Sequence, residues 1–117
     1  MSLAACGEST DSYLVGKGRW GEYDVSVESR PAPPRRGNNE VVVIITGERH
    51  QPVYDALVAV RAQSEAAWTQ AIEDGHVGVY RRAVNFGHGD RAVIQVQLKR
   101  GAQESELDFP VSLAQQP

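Results

Sequence analysis

Apolar residues recur at every second position along most of this chain, and that period limits the folds open to it. Residues 91–99 (RAVIQVQLK) place alanine, isoleucine, valine and leucine on one face and mostly polar residues on the other. Residues 23–28 (YDVSVE) and 105–113 (SELDFPVSL) alternate in the same way. Because successive side chains of a strand point to opposite faces, this period predicts strands that each bury one face.

Other segments favour strands by composition. Residues 40–46 (EVVVIIT) are dense in β-branched residues and predict a strand at the centre of a sheet. Residues 76–86 (HVGVYRRAVNF) predict another, and the last strand is expected either to lie at an edge or to end its pairing early, because Pro110 lacks an amide proton for pairing. Short strands separated by turns about every 8–12 residues predict an all-β fold, an immunoglobulin-like antiparallel β-sandwich of about seven strands.

One region leaves two interpretations open. Residues 56–62 (ALVAVRA) alternate and follow the turn-forming residues 47–52 (GERHQP), which favours a hairpin with a returning strand. Helix-forming residues between 55 and 74 also permit a single amphipathic helix. The strand is the favoured interpretation, and residues 64–75 are left as a loop, a short helical turn or an irregular strand.

The bulk composition excludes several function classes. The 117 residues suit one domain, and 12 basic against 15 acidic residues give a net charge of −3. Without a basic excess, nucleic-acid binding is not expected. A single cysteine excludes an internal disulfide and a zinc site built from several thiolates. No apolar run reaches the length of a membrane span.

The single cysteine lies in a specific context near the start of the chain. Residues 3–7 (LAACG) resemble a bacterial lipobox, in which small residues precede a cysteine that receives diacylglycerol. We therefore predict lipidation at Cys6, residues 1–18 as a flexible tether and residues 19–117 as the sandwich domain. This places the domain on the periplasmic side of a bacterial membrane, anchored by lipid. The alternative is a chance cysteine in a disordered tail.

Two longer stretches carry a resemblance to a known family. Residues 31–60 lead from prolines, glycine and asparagine into an aliphatic strand, a turn ending in proline and a valine-rich strand. Residues 78–98 begin with Gly-x-Tyr and continue through a strand, a glycine turn and another strand. This order of features resembles the FixH/YtkA-like family of exported immunoglobulin-like domains. The residues that carry the match are Pro34, Gly37, Asn38, Pro52, Ala56, Val60, Gly78, Tyr80, Gly89 and Asp90.

The resemblance implies an envelope domain linked to respiratory oxidase assembly or to metal handling, often of copper. In such a sandwich Tyr80 would tie a strand to a neighbouring loop, and Gly89 and Asp90 would shape a hairpin. The chain departs from the family by lacking internal methionines and by having Arg91 where tryptophan is frequent. Copper(I) prefers thioether and thiolate ligands, so these departures weaken a copper role.

Histidines are the remaining candidate metal ligands. His50, His76 and His88 each lie beside a predicted turn. His50 and His88 could bind a divalent metal if their turns meet at one end of the sandwich. The alternative is that all three are ordinary surface residues in turns.

No catalytic or cofactor-binding residues are predicted. Residues 16–21 (GKGRWG) match the letters of a dinucleotide-binding loop, but that loop requires a preceding strand and a following helix. Serine, histidine and acidic residues occur without a local signature of a triad. We therefore predict that the protein is not an enzyme.

Partner surfaces are predicted at three positions. Arg35 and Arg36 could meet anionic lipid headgroups or an acidic partner. Trp68, like Trp20, is predicted mainly as a core residue, and an exposed Trp68 would instead mark a partner surface. The favoured function is a non-catalytic envelope module that binds protein, accessory to a respiratory or transport complex. The alternative is a periplasmic copper or zinc carrier, and edge strands could also pair two copies.

Overall fold

The computed structural model describes residues 12–63, 65 and 67–113, and this part of the chain forms strands without an α-helix. A single 3-10 turn occupies Glu48–His50. The predicted all-β class is confirmed. The strands are β1 (Tyr13–Trp20), β2 (Tyr23–Arg30), β3 (Asn38–Thr46), β4 (Leu57–Ala62), β5 (Thr69–Gln70), β6 (Ile72–Glu73), β7 (Val79–Asn85), β8 (Arg91–Arg100) and β9 (Gln103–Ser112).

These strands form two antiparallel sheets that face each other across one core. The first sheet has the order β1-β2-β3-β7-β6, and the second has the order β5-β4-β8-β9. This arrangement confirms the predicted sandwich and is consistent with an immunoglobulin-like one. Residues 91–99 behave as predicted, because Ile94, Val96 and Leu98 are completely buried between the sheets. The described residues form nine strands rather than about seven: β1 lies in the predicted tether, and β5 and β6 lie in residues 64–75, which were left as a loop, a short helical turn or an irregular strand.

Strand β3 lies at the centre of the first sheet, as its composition predicts. It pairs with β2 on one side and β7 on the other. Val41, Val43 and Ile45 face the core and are completely buried. Val42 points to the opposite face and is still only 2% exposed. A strand buried on both faces explains why its apolar residues run continuously instead of alternating.

Strand β1 corrects the predicted domain boundary. Residues 13–18 were placed in the flexible tether, but they pair with β2 from Tyr13 opposite Ser29 to Trp20 opposite Tyr23. The sandwich therefore begins at Tyr13 rather than at residue 19. Alternation did not reveal this strand because glycines occupy two of its eight positions and its register shifts once. Residues 1–11, including Cys6, lie outside the described residues.

The helix considered for residues 55–74 is wrong. The described residues of this region form β4, β5 and β6. Strand β4 buries Val58, Val60 and Ala62 at every second position, and this apolar face outweighs the helix propensity of the segment. Strands β5 and β6 then pass from the second sheet to the first, since β5 pairs with β4 and β6 pairs with β7.

Two predicted hairpins are also wrong. Residues 47–56 connect β3 to β4, and residues 86–90 connect β7 to β8, but each pair of strands belongs to different sheets. Both segments cross the sandwich instead of turning within a sheet. The predicted turn after β8 does form a hairpin, in which Arg100 pairs with Gln103. Strand β9 is an edge strand, as Pro110 predicts.

The crossings define two ends of the molecule. The N-terminal end contains Ser12, residues 31–37 and residues 86–90, and Arg36 donates to the carbonyl of Gly89 there at 2.9 Å. The distal end contains residues 47–56, residues 74–78 and the β1–β2 and β8–β9 turns. The strands β1, β3, β7 and β8 run between these ends.

Candidate binding surface at the distal end

A buried tyrosine fixes the loop between β3 and β4. The hydroxyl of Tyr80 donates to the carbonyl of Val53 at 2.8 Å and accepts the amide proton of Ala56 at 3.2 Å. Tyr80 is 1% exposed, and burial raises the pKa of its phenol. The prediction that Tyr80 ties a strand to a neighbouring loop is confirmed. The loop is therefore held by a group that stays neutral and hydrogen-bonded.

Gly78 brings the β6–β7 turn against the same loop. Its carbonyl accepts the amide proton of Ile45 at 2.9 Å. Its φ of +75° is unfavourable for other residues, and a β-carbon there would lie 2.6 Å from the carbonyl oxygen of Ile45. Glycine at this position therefore permits residues 74–78 and residues 47–56 to form one continuous surface.

An ion pair closes the other side of the loop. The guanidinium of Arg100, at the end of β8, binds the carboxylate of Asp55 and donates to the hydroxyl of Tyr23 at 2.6 Å. The hydrogen bond from Arg100 lowers the pKa of Asp55. The same pair raises the pKa of Arg100. These contacts join β2, β8 and the β3–β4 loop, and thereby connect both sheets at this end.

The loop itself adopts a strained turn. Arg49 and His50 both have positive φ, at 58° and 61°, which costs side-chain-bearing residues about 1–2 kcal/mol each. The amide of Gly47 donates to the carbonyl of Gln51 at 2.7 Å and closes the turn. An open cleft of about 400 Å³ lies beside it, with Arg49, Pro52 and Arg100 in its wall. Backbone strain of this kind is concentrated at functional sites in proteins.

Exposed aromatic and apolar side chains lie next to this cleft. Tyr54 is 48% exposed and Val77 is 56% exposed. The ring of His76 meets the ring of Tyr54 edge-on, with centroids 5.4 Å apart. No local sequence pattern marks Tyr54 or Val77, because the contact of Tyr54 with His76, the neighbour of Val77, arises from the pairing of β7 with β3. We call Tyr54, His76 and Val77 the distal cluster.

The histidines proposed as metal ligands do not meet. His50 follows the distal end of β3, whereas His88 lies in the loop beside the other end of that strand. Nine residues of β3 separate the two ends by about 27 Å at about 3.4 Å per residue. His50 and His88 therefore cannot share one ion. Among the described residues, no group of three or more histidine, cysteine, aspartate or glutamate side chains is arranged to hold a metal.

The two tryptophans have different environments. Trp20 is 3% exposed and belongs to the core, as predicted. Trp68 is only partly buried, and the guanidinium of Arg61 lies 4.5 Å from its ring centroid. Arg61 points outward from the second sheet, so the prediction of Trp68 as a core residue is wrong. An arginine stacked on an indole is a cation–π contact at the surface.

The arginines proposed as a partner surface lie at the N-terminal end. Arg35 is exposed. Arg36 donates to the carbonyl of Gly89 and to the carboxylate of Asp90, at 2.9 and 2.7 Å. They are therefore remote from the distal cluster. Cys6, the predicted lipidation site, lies outside the described residues.

Comparison with known proteins identifies no relative. No family model, no curated protein and no solved structure matches this chain. Within the described residues, none of the secondary structure is a helix of the length and hydrophobicity needed to cross a bilayer. The distal end is therefore inferred to be the binding surface from its geometry alone.

Proposed function

We propose that this chain is a non-catalytic recognition module of the bacterial envelope, anchored by lipid on Cys6, that binds a protein partner through its distal end. One observation carries the proposal: Ser12 and the distal cluster lie at opposite ends of the sandwich. A chain held near residue 12 therefore presents Tyr54, His76 and Val77 away from its attachment point.

The length of the connection supports this orientation. Five residues lie between Cys6 and Ser12, and the six residue steps of such a segment span at most about 20–22 Å when it is extended. Arg30 donates to the hydroxyl of Ser12 at 2.8 Å, which fixes where the chain enters the sandwich. Lipid on Cys6 would keep the N-terminal end close to the membrane and direct the distal end toward the compartment beyond it.

The chemistry of the distal end favours a protein as the ligand. Exposed tyrosine and valine supply apolar contact area, and tyrosine is enriched among the residues that dominate binding at interfaces. The Tyr80 hydrogen bonds and the Asp55–Arg100 pair hold the loop before a partner arrives. A preformed loop loses little conformational entropy on binding, which raises affinity.

The anchor is tested by labelling cells with an alkyne analogue of palmitate. The full-length chain should acquire the label, and Cys6→Ser should lose it while Ser9→Ala retains it. If the wild-type chain stays unlabelled, the proposed lipid anchor on Cys6 is wrong.

The recognition surface is tested by site-specific photocrosslinking in cells. A photoreactive phenylalanine analogue at Tyr54 should give a discrete adduct, whereas the same analogue at Glu106, on the exposed face of β9, should not. Excess purified wild-type protein should compete for the adduct, and Tyr54→Ala with Val77→Ser should compete poorly. Equal adducts from both positions would contradict a distal binding surface.

Membership of the FixH/YtkA-like family, and with it a role beside a respiratory or transport complex, stays a prediction. Binding through the distal end requires only the geometry of the two ends and not that kinship. A copper or zinc carrier that uses His50 and His88 together is not supported, because the two histidines lie at opposite ends of β3.

A further inference from the structure

The N-terminal end exposes positively charged side chains. Arg35 and Arg91 are both exposed, and neither forms an ion pair with any residue that the structure describes. Arg36, at the same end, is neutralised by Asp90. The exposed side chains of this surface therefore carry a surplus of positive charge, which is offset in part by the half-buried carboxylate of Glu65, the acceptor of the Asn85 amide proton at 3.4 Å, although the whole chain has a net charge of −3.

Backbone hydrogen bonds make this surface a single unit. The amide of Gly37 donates to the carbonyl of Gly87 at 2.9 Å, and the amide of Phe86 donates to the carbonyl of Gly37 at 2.8 Å. The guanidinium of Arg36 adds its bond to Gly89. The segment that carries Arg35 is thus bound directly to the loop that leads into Arg91, and the exposed side chain of His88 lies within that loop.

The distal end does not show this surplus. Its exposed unpaired charges are Glu22, Glu48 and Arg49 within the described residues, and Asp55 neutralises Arg100 there. The molecule is therefore electrically polarised along its strands, with the positive end where the chain enters from Cys6.

We propose that the N-terminal end, through Arg35 and Arg91, binds the anionic headgroups of the bilayer surface. This inference rests on the proposed function for its orientation, because lipid on Cys6 would bring the same end to the membrane. Each arginine near an anionic surface raises partitioning by about fivefold, so the pair contributes on the order of 25-fold at low salt. The contact would orient the sandwich with its distal end directed away from the membrane and would limit its rotation about the tether.

The test attaches one acyl chain chemically. Cys6 is the only cysteine, so a thiol-reactive tetradecyl reagent modifies it selectively, and one such chain gives weak, reversible binding. Partitioning is measured by sedimentation with phosphatidylcholine vesicles, with and without phosphatidylglycerol. Arg35→Gln with Arg91→Gln is compared with Lys17→Gln and Arg49→Gln, which remove the same charge away from the N-terminal end.

We expect the wild type to prefer the anionic vesicles, and the Arg35/Arg91 variant to lose on the order of 25-fold at low salt. The Lys17/Arg49 control should lose less than about threefold, and high salt should remove the difference because exposed charges are then screened. The acidic tether residues Glu8 and Asp11 are common to all variants and cancel in the comparison.

Equal losses in the two variants, or no preference of the wild type for anionic vesicles, would overturn the proposal. An acidic protein as the true partner of Arg35 and Arg91 would give the second result. The outcome is separable from the anchor, because the acyl chain is added in the test tube. Vesicle binding that persists although cells fail to lipidate Cys6 would remove the anchor and leave this inference intact.

Discussion

One hydroxyl group holds the loop that carries Tyr54. Replacing Tyr80 by phenylalanine leaves the buried Val53 carbonyl and Ala56 amide without their partner, and each unsatisfied buried group costs about 1–3 kcal/mol. We expect Tyr80→Phe to lower the free energy of unfolding in urea by about 2–4 kcal/mol. Tyr54→Phe is the matched control, since Tyr54 is exposed, and should change it by less than about 0.5 kcal/mol. Equal losses would mean that the Tyr80 bonds carry no stability.

Gly78 and Gly75 separate two costs of replacing a glycine by alanine, namely backbone strain and a steric clash of the added β-carbon. Both have positive φ, at 75° and 70°, but a β-carbon on Gly75 would meet nothing within 4 Å. Gly75→Ala should therefore cost only the backbone strain, about 1–2 kcal/mol. Gly78→Ala adds the clash with the Ile45 carbonyl and should cost at least about 1 kcal/mol more. Urea unfolding of both variants measures the difference, and similar midpoints would contradict the close approach.

At the scale of elements, β1 shows where a sequence pattern fails. Gly16 and Gly18 let this strand approach β9, so that Phe109 and Leu107 occupy the space that side chains would fill. Gly21 then adopts a φ of +59° in the turn to β2. The three glycines of residues 16–21 thus serve packing and a turn. A strand whose inward positions are glycine has no alternation to detect, because the partner strand supplies its apolar contact.

The contact between β1 and β9 makes a testable pair. A β-carbon on Gly16 would lie 2.9 Å from the Phe109 ring, so Gly16→Ala should cost about 1–3 kcal/mol by overpacking. Gly89→Ala is the control, because its nearest atom lies 3.8 Å away. Phe109→Leu makes room, and the double variant should be more stable than the sum of the two single losses implies. Additive losses in thermal or urea unfolding would place the strain of Gly16→Ala elsewhere.

The connections were harder to predict than the strands. Alternation located β2, β4, β8 and β9, and composition located β3. The residues that a strand buries form a pattern within its own sequence, so these strands can be recognised without knowledge of their partners. Whether residues 47–56 turn back or cross to the other sheet depends on which strand pairs better with β3. Strand β7 takes that place, 33 residues after β3 ends. Pairing between distant segments is not encoded in the residues of the turn. Glycine and proline therefore indicated that the chain bends at residues 47–56, but not which sheet the next strand joins.

At the scale of the molecule, the site shares this dependence on topology. The Gly-x-Tyr motif correctly indicated that Tyr80 binds a loop but not which loop, because Val53 and Ala56 lie 27 and 24 residues earlier in the chain. The distal cluster was not predicted, since residues 54 and 76 meet only when β7 lies beside β3. The same topology separates His50 from His88. Histidines chosen by residue type alone therefore did not predict a metal site. The exposed apolar residues of the distal end could be recognised as one surface only from the folded structure.

The acid stability of the whole fold tests the ion pair that joins its sheets. The hydrogen bond from Arg100 lowers the pKa of Asp55 below 3.8, so the folded state favours the carboxylate. This stabilisation is present above the unfolded pKa and is lost as pH falls through the lower folded pKa. We expect Asp55→Asn to reduce the fall in the free energy of unfolding below pH 3.8, measured by urea denaturation across that range. Asp108→Asn, an exposed aspartate without an ion pair among the described residues, should keep the wild-type slope. If Asp55→Asn also keeps that slope, the pair does not couple the stability of the fold to the protonation of this carboxyl.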